Sequence, residues 1–471
     1  MSHTVTDAQR KWLPLLAAVG FFMQALDGTI LNTALPSMAE TLGESPLQMQ
    51  SVIIAYMLTV ALLIPASGWL ADRFGTRRIY LTAISLFTLG SLACAASNSL
   101  SMLVAARVLQ GIGGALLMPV GRLAVLRVYD KHELLRVMSF VTIPGLLGPL
   151  MGPALGGWLV EVASWHWVFL INLPVGLLGF IASWHFMPEL RQQTARFDWQ
   201  GFVMFSVGMV LVSVGLQGLG EHNISTGWAL FALIFGLAAM ASYWLYAANA
   251  QQPLFSLNLF KTTTFAIGIW GNLFARLGSG AMPFLTPLFL QLGLGFSPSK
   301  AGMTMIPTVI GAMLTKTLVN KLIPTVGYRR ILIGNTLLLG AMIASFYFID
   351  NQLPYGVLLG WLAIFGAINS LQFSAMNTLT LQDLSPTLAS SGNGLLSVVM
   401  QLSMSLGVAI AASLLGLFSA GTSAGTLVAE GQWLAGFHLT YLCVGLLSML
   451  AALIFAQLAR DGATPSERAD S

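Results

Sequence analysis

Fourteen apolar runs, each long enough to cross a lipid bilayer, constrain this chain more than any other feature. They lie at about 12–34, 48–70, 79–97, 101–126, 137–160, 165–187, 199–219, 227–249, 264–291, 299–322, 331–350, 354–380, 389–418 and 434–458. A bilayer core takes about 20 apolar residues in a helix. Backbone amides in lipid must be bonded within their own segment, so every run is expected to be α-helical. Hydrophobic residues make up 56% of the 471 and charged residues 8%, against roughly 25% charged in soluble domains. So few charges cannot cover that apolar surface in water, which excludes a soluble globular chain and a disordered one. The class is an all-α polytopic membrane protein.

Lysine and arginine set the orientation. With the N-terminus in the cytoplasm, the cytoplasmic connections hold Arg73, Arg77 and Arg78; Arg127, Lys131 and Arg136; Arg191 and Arg196; Lys261; Lys321, Arg329 and Arg330; Arg460 and Arg468. The opposite connections hold Glu40, Glu44, Glu161, Glu221, Asp350 and Glu430, with Lys300 their one basic residue. This split predicts fourteen spans with both termini cytoplasmic. It also explains the net charge of +4 without nucleic acid. Arg10 and Lys11 precede a first apolar run too long for a cleaved leader, so an uncleaved first span is expected.

Gly75-Thr-Arg77-Arg78 follows span two and Gly327-Tyr-Arg329-Arg330 follows span ten. Either two basic loops match by chance or the chain is repeated. The repeat predicts a six-helix bundle over 1–190, a two-helix insertion over 191–260 and a second six-helix bundle over 261–471. Repeated bundles with a site at their interface are the plan of secondary transporters.

A charge inside a span is costly and is a functional candidate. Asp27, near the middle of span one, is the one deep carboxylate, and Gln24 precedes it by one turn. Arg107 in span four is its expected partner. The pair either exchanges protons as its surroundings change or is a static link between two helices. Proton exchange requires that water reach Asp27. Arg107, Gln110, Gly111 and Gly114 share a face of span four, where glycines admit a neighbouring helix or a substrate. Span five carries Pro144, Gly145, Gly148, Pro149, Gly152, Pro153, Gly156 and Gly157. A four-residue glycine stripe with three prolines predicts a bendable helix at a close interface. The loop from Gly68 through Asp72, Arg73, Gly75, Arg77 and Arg78 reads as a charged cytoplasmic latch or as a plain positive-inside loop. In the second half Asn272 and Arg276 share a face of span nine. Asn369, Gln372 and Asn377 lie in span twelve, and Gln401, Ser403 and Ser405 in span thirteen. These residues contact substrate or bond neighbouring helices.

Other signals fail. Thr325-Val-Gly-Tyr328 runs into two arginines in a cytoplasmic loop and is no ion filter. Arg136 stands where a zinc-protease helix begun at His132-Glu133 needs its second histidine, and no phosphate-binding Gly-Lys-Ser/Thr occurs. Cys94 and Cys443, far apart in apolar runs, give no disulfide framework or zinc site. No enzyme, cofactor or metal is expected.

Taken together the motifs resemble the major facilitator superfamily. The 68–78 loop is similar to its signature loop, Arg107-x-x-Gln110-Gly111 to its second motif and the span-five stripe to its antiporter motif. Leu26-Asp27-Gly-Thr-Ile-Leu-Asn32-Thr-Ala-Leu-Pro36 and Trp165-His-Trp-Val-Phe-Leu-Ile-Asn172-Leu-Pro174-Val-Gly176 resemble its fourteen-span drug–proton antiporters. The resemblance implies the major facilitator fold and multidrug efflux by alternating access. It implies proton coupling through Asp27 and Arg107, and a latch formed by Asp72, Gly75, Arg77 and Arg78. Gln24, Asn32, Gln110, Asn272, Arg276, Asn369, Gln372 and Asn377 are the candidate substrate contacts. Pro324 and Thr325 replace the latch's Asp72 and Arg73 in the second copy, so only the first latch is complete. One deep acid against two deep bases keeps open an anionic substrate, such as a metabolite or a tricarboxylate–metal chelate. The expected setting is a bacterial inner membrane, as a monomer, with protons and a small molecule as partners.

Overall fold

A computed structural model describes residues 5–192, 196–220, 225–419 and 430–458. Of the residues named above, Glu221, Arg460 and Arg468 lie outside the described residues, as do the side chains of Lys131, Lys321, Pro324 and Glu430.

The first unit, Met1–Phe197 with Ser297–Met303, contains helices α1 (Asp7–Ile30), α2 (Gln50–Phe74), α3 (Thr76–Ala95), α4 (Leu100–Val128), α5 (Lys131–Val162) and α6 (Asn172–Phe186). The second, Asp198–Phe296 with Thr304–Ser471, contains α7 (Trp199–Gly220), α8 (Thr226–Asn249), α9 (Thr263–Leu288), α10 (Ile306–Val326), α11 (Tyr328–Ala344), α12 (Tyr355–Gln382), α13 (Pro386–Ser419) and α14 (Glu430–Leu450). Among the described residues thirteen helices are long and apolar enough to cross a membrane, and α10 takes the remaining place. Every apolar run has its helix.

Local chemistry sets the ends. A capping box between Thr6 and Gln9 starts α1 five residues before the apolar run. The Ser99 side chain accepts from the Met102 amide and starts α4. A single residue separates α2 from α3, and another separates α10 from α11. These are Gly75 at φ +100° and Gly327 at φ +87°, a backbone region that glycine enters without a Cβ penalty. The other glycines at positive φ among the described residues are Gly43 and Gly295. Both pairs, 43 with 295 and 75 with 327, are 252 positions apart, so the repeat extends beyond one basic motif.

Packing repeats as well. In the first unit α1 packs on α5, α2 on α4 and α3 on α6; in the second α9 packs on α13, α10 on α12 and α11 on α14. Glycines make the seams tight. A Cβ at Gly148 would meet the Leu26 amide at 2.6 Å; one at Gly152 would meet the Thr29 side chain, and one at Gly156 the Ile30 carbonyl. Three prolines leave α5 continuous from end to end, while the Thr29 hydroxyl of α1 and the Thr33 hydroxyl just beyond it donate to the Gly148 and Pro153 carbonyls. Gly157 faces away from that seam, toward Pro298. The inserted helices α7 and α8 pair with each other, and α7 leans on α13.

Candidate functional site

Five helices of the first unit converge on Asp27. From α4, Arg107 Nη1 donates to Asp27 Oδ2 at 2.7 Å, and Gln110 Nε2 donates to Oδ1 at 2.7 Å. From α6, Asn172 Nδ2 donates to the same Oδ1 at 3.3 Å. From α3, Ser91 Oγ accepts from Gln110 at 2.8 Å and from Asn172 at 3.3 Å. From α2, the Val52 carbonyl accepts from Arg107 Nε at 3.3 Å, and the Tyr56 ring lies 4.2 Å from the guanidinium. Gln110 Oε1 closes the network by accepting from Arg107 Nη1 at 2.6 Å. The pairing expected between Asp27 and Arg107 is present, and Gln110 belongs to it.

Asp27 lies six residues from the end of the helical stretch Asp7–Thr33. Arg107 is seven residues into α4, and Asn172 opens α6. The network therefore lies toward the helix ends remote from the Gly75 turn. The water access that proton exchange requires is absent in this conformation, since Asp27 and Arg107 are each 1% exposed and Gln110 0%. Removing one partner of such a buried pair leaves an uncompensated charge, which is strongly destabilising.

The other first-half residues divide. Gln24 stays outside the network, its Oε1 buried with no hydrogen-bond partner among the described residues. Asn32 is buried in the short turn Leu31–Thr33 beyond α1. Gly111 and Gly114 admit Thr59 and Tyr56 of α2, so here the glycines of α4 serve helix packing. Ser91, Tyr56 and Asn172 had no role assigned from sequence. Asn172 was visible as part of a motif, whereas nothing in the spacing of Ser91 or Tyr56 pointed to Asp27.

At the other end of the same helices, Asp72 forms an ion pair with Arg127 at the end of α4, and Arg127 also donates to Gln192 at 3.2 Å. Arg77 donates to the Trp184 carbonyl near the end of α6 and lies over its ring. Arg78 faces Glu189 at 3.8 Å. Thr76 exchanges backbone and side-chain bonds with Pro188 and Leu190. The loop is thus tied to α4 and to the chain leaving α6. A Cβ on Gly75 would collide with the Glu189 carboxylate. Arg73 is exposed, and a Cβ on Gly68 would meet nothing within 4 Å, so these two show no part in the tie. Arg127 and Glu189 were missed because single basic or acidic residues at helix ends look like orientation signals.

In the second unit Arg276 is 5% exposed. Its Nε donates to Asn272 Oδ1 at 2.9 Å, its Nη2 to Asn377 Oδ1 at 3.1 Å, and its guanidinium lies 4.3 Å from the Phe373 ring. Asn272 also donates to Thr380 Oγ1 at 3.2 Å. Among the described residues no carboxylate pairs with Arg276. Gln372 is not part of this group: it donates to Thr336 and accepts from Asn335, linking α12 to α11. Asn369 is half-buried and joins neither group.

The family model of the Major Facilitator Superfamily matches residues 17–408. A candidate multidrug resistance protein of Serratia proteamaculans, named MdtD, is 50% identical over 472 residues, covering 98% of this chain and 96% of the relative. Its namesake in Pectobacterium carotovorum is 52% identical, covering 97% of both chains, and that of Escherichia coli K12 is 50% identical, covering 96% and 95%. Among solved structures, the nucleoside transporter NupG has a TM-score of 0.66 at 13% identity, covering 94% of this chain and 98% of the other. A D-xylose–proton symporter has a TM-score of 0.66 at 16% identity, covering 96% and 98%. The repeated six-helix packing agrees with that fold. With a family model across most of its length and relatives half-identical along nearly all of it, this chain belongs to the major facilitator superfamily, a family of membrane transporters and not of enzymes.

Proposed function

We propose that this chain is a proton-coupled exporter of small molecules, working by alternating access in a bacterial inner membrane, as a monomer with both termini cytoplasmic. The observation that carries the reading is the buried Asp27–Arg107 pair. Well-packed apolar side chains in place of a buried ion pair are often as stable or more so, so rigidity alone does not call for one. An ionisable pair kept inside a span is by default part of an ion pathway. Proton entry down a membrane potential supplies about 2.3 kcal/mol per charge for each 100 mV.

The conformation described here is one that holds the pair sealed, and coupling needs a second one in which water reaches Asp27. The tie from Asp72 to Arg127 serves in this reading as the cytoplasmic latch, and the α1–α5 glycine seam lets the helices slide. In proteoliposomes, export should stop when an uncoupler collapses the proton gradient. Asp27→Asn should abolish proton-driven export while leaving the chain in the membrane. Full export by Asp27→Asn, or failure of a hydrophobic carbodiimide to reach Asp27 at any pH, would make the pair a static link.

The relatives' name favours lipophilic drugs as cargo. Arg276 favours a second reading, an anionic cargo such as a metabolite or a tricarboxylate–metal chelate. A guanidinium buried without a carboxylate is a costly vacancy for negative charge, with fork geometry suited to carboxylates. Counterflow into vesicles with a lipophilic cation and with a tricarboxylate separates the two. Arg276→Gln should weaken only the anionic flux.

A further inference from the structure

The polar hydrogens placed around Asp27 serve only its ionised form. Oδ2 accepts from Arg107, and Oδ1 accepts from Gln110 and Asn172. A carboxylate is an acceptor and nothing else, but a carboxylic acid is also a donor. When Oδ1 takes up a proton, the new O–H needs an acceptor, and all three neighbours present N–H. A buried donor without an acceptor is expensive, so one neighbour must change what it presents.

Three candidates are unsuited. Arg107 has no acceptor. Gln110 Oε1 is already held by Arg107 Nη1 at 2.6 Å and by the Cys94 thiol at 3.7 Å. Turning that amide would set its NH2 against the guanidinium. Tyr56 lies beneath the guanidinium, with its Oη directed at Gly114.

Asn172 differs. Its Nδ2 serves Asp27 and Ser91, each at 3.3 Å, while its Oδ1 makes no hydrogen bond among the described residues. Ser91 Oγ accepts twice, from Gln110 and Asn172, and its own hydrogen has no acceptor among the described residues. A half-turn of the Asn172 amide exchanges Nδ2 for Oδ1. The oxygen then accepts from the protonated Asp27 and from the Ser91 hydroxyl, which rotates to meet it. Asn172 is the first residue of α6, one residue after the short helix Trp167–Leu170.

We propose that Asn172 is a positioning residue for proton transfer. Its amide turns as Asp27 gains or loses its proton, and the Ser91 hydroxyl follows. This rests on the reading of Asp27 as the proton carrier. The other titratable groups facing Asp27 are Arg107 from α4, Tyr56 from α2 and Cys94 from α3. α5 adds no charge there: its Gly148 and Gly152 lie against Ala25, Leu26, Thr29 and Ile30 of α1.

Infrared difference spectra of the full chain in liposomes, recorded across pH, test it. The protonated Asp27 carbonyl band is the one lost in Asp27→Asn. In Asn172→Leu the ionised form loses only its longest bond, whereas the neutral form loses its one acceptor. The midpoint for appearance of the band should therefore move about one pH unit lower, and the band should shift to the frequency of an unbonded acid. A fixed donor role predicts the opposite sign, because removing a donor to a carboxylate favours protonation. An unchanged or raised midpoint in Asn172→Leu overturns the proposal. If that variant does not fold, the wild-type band decides: the frequency of a hydrogen-bonded acid supports the turn, and that of a free acid overturns it. A wild type with no Asp27 band at any pH removes the proton-carrier reading itself, and the proposal with it.

Discussion

Replacing the central pair by apolar residues separates its structural cost from its function. Asp27→Leu leaves Arg107 buried with the Gln110 and Val52 oxygens and the Tyr56 ring. A desolvated cation over an aromatic ring recovers up to about 2 kcal/mol, so the cost falls at the low end of the range for a broken buried pair, about 3 kcal/mol. Arg107→Met leaves Asp27 with two neutral amide donors and costs about 3 kcal/mol by the same argument. If the changes were independent, the double variant would lose about 6 kcal/mol. It should lose only about 2 kcal/mol, since no charge is stranded and the remaining deficit is the acceptor that Gln110 and Asn172 shared. Denaturant titration in mixed micelles measures all four corners of the cycle, and a double variant costing the full sum would refute the reasoning. The same double variant, assayed in proteoliposomes, should be stable yet unable to drive export with a proton gradient. Retention of uncoupler-sensitive export would show that the pair only joins helices.

Other consequences are as direct. Gly75→Ala should lower stability by about 1–3 kcal/mol, from φ +100° and from the Glu189 collision. Adding Glu189→Ala should restore the collision part and not the backbone part, read as two steps in the unfolding midpoint. Gly156→Val should force α5 from the Ile30 carbonyl of α1 and lower the thermal midpoint, whereas Gly68→Ala, with nothing nearby, should leave it unchanged. Arg127→Gln should release the Asp72 tie and raise cysteine labelling at position 76, with position 91 unaffected. His166 is held below its ordinary value by burial. The stability it contributes is present above about pH 6.5 and is lost as pH falls through that lowered value. Between pH 7 and pH 5, His166→Gln should show a flatter loss of stability than the wild type.

The membrane made the fold legible. Lipid leaves a backbone no alternative to helix, so all fourteen runs became helices, with ends moved by a few residues where Thr6, Ser99 or Gly75 acts locally. The Asp27–Arg107 pair was legible because charges inside spans are rare enough that two in one bundle must account for each other. Ser91 and Tyr56 were not, and Asn172 showed only as part of a motif, because an uncharged polar residue in a span is commonplace and its partner depends on helix rotation, which hydropathy does not record. Arg127 was hidden by the rule that made orientation readable: a basic residue at a cytoplasmic helix end already had an explanation.

The repeat shows where the halves part in chemistry. At the 252-residue offset fixed by Gly43 and Gly295 and by Gly75 and Gly327, Asp27 falls on Ser279 and Gln24 on Arg276. The backbone plan is shared, but the acid belongs to the first bundle and the unpaired base to the second. The position occupied by Gln24 and Arg276 is incompletely satisfied in both. Among the described residues Gln24 Oε1 is buried without a partner, and Arg276 is buried without a counter-charge. Two halves that agree in packing thus leave the same helix position short of a partner among the described residues. Gln24 and Arg276 are therefore where substitution should change which cargo is carried while leaving proton coupling at Asp27 in place.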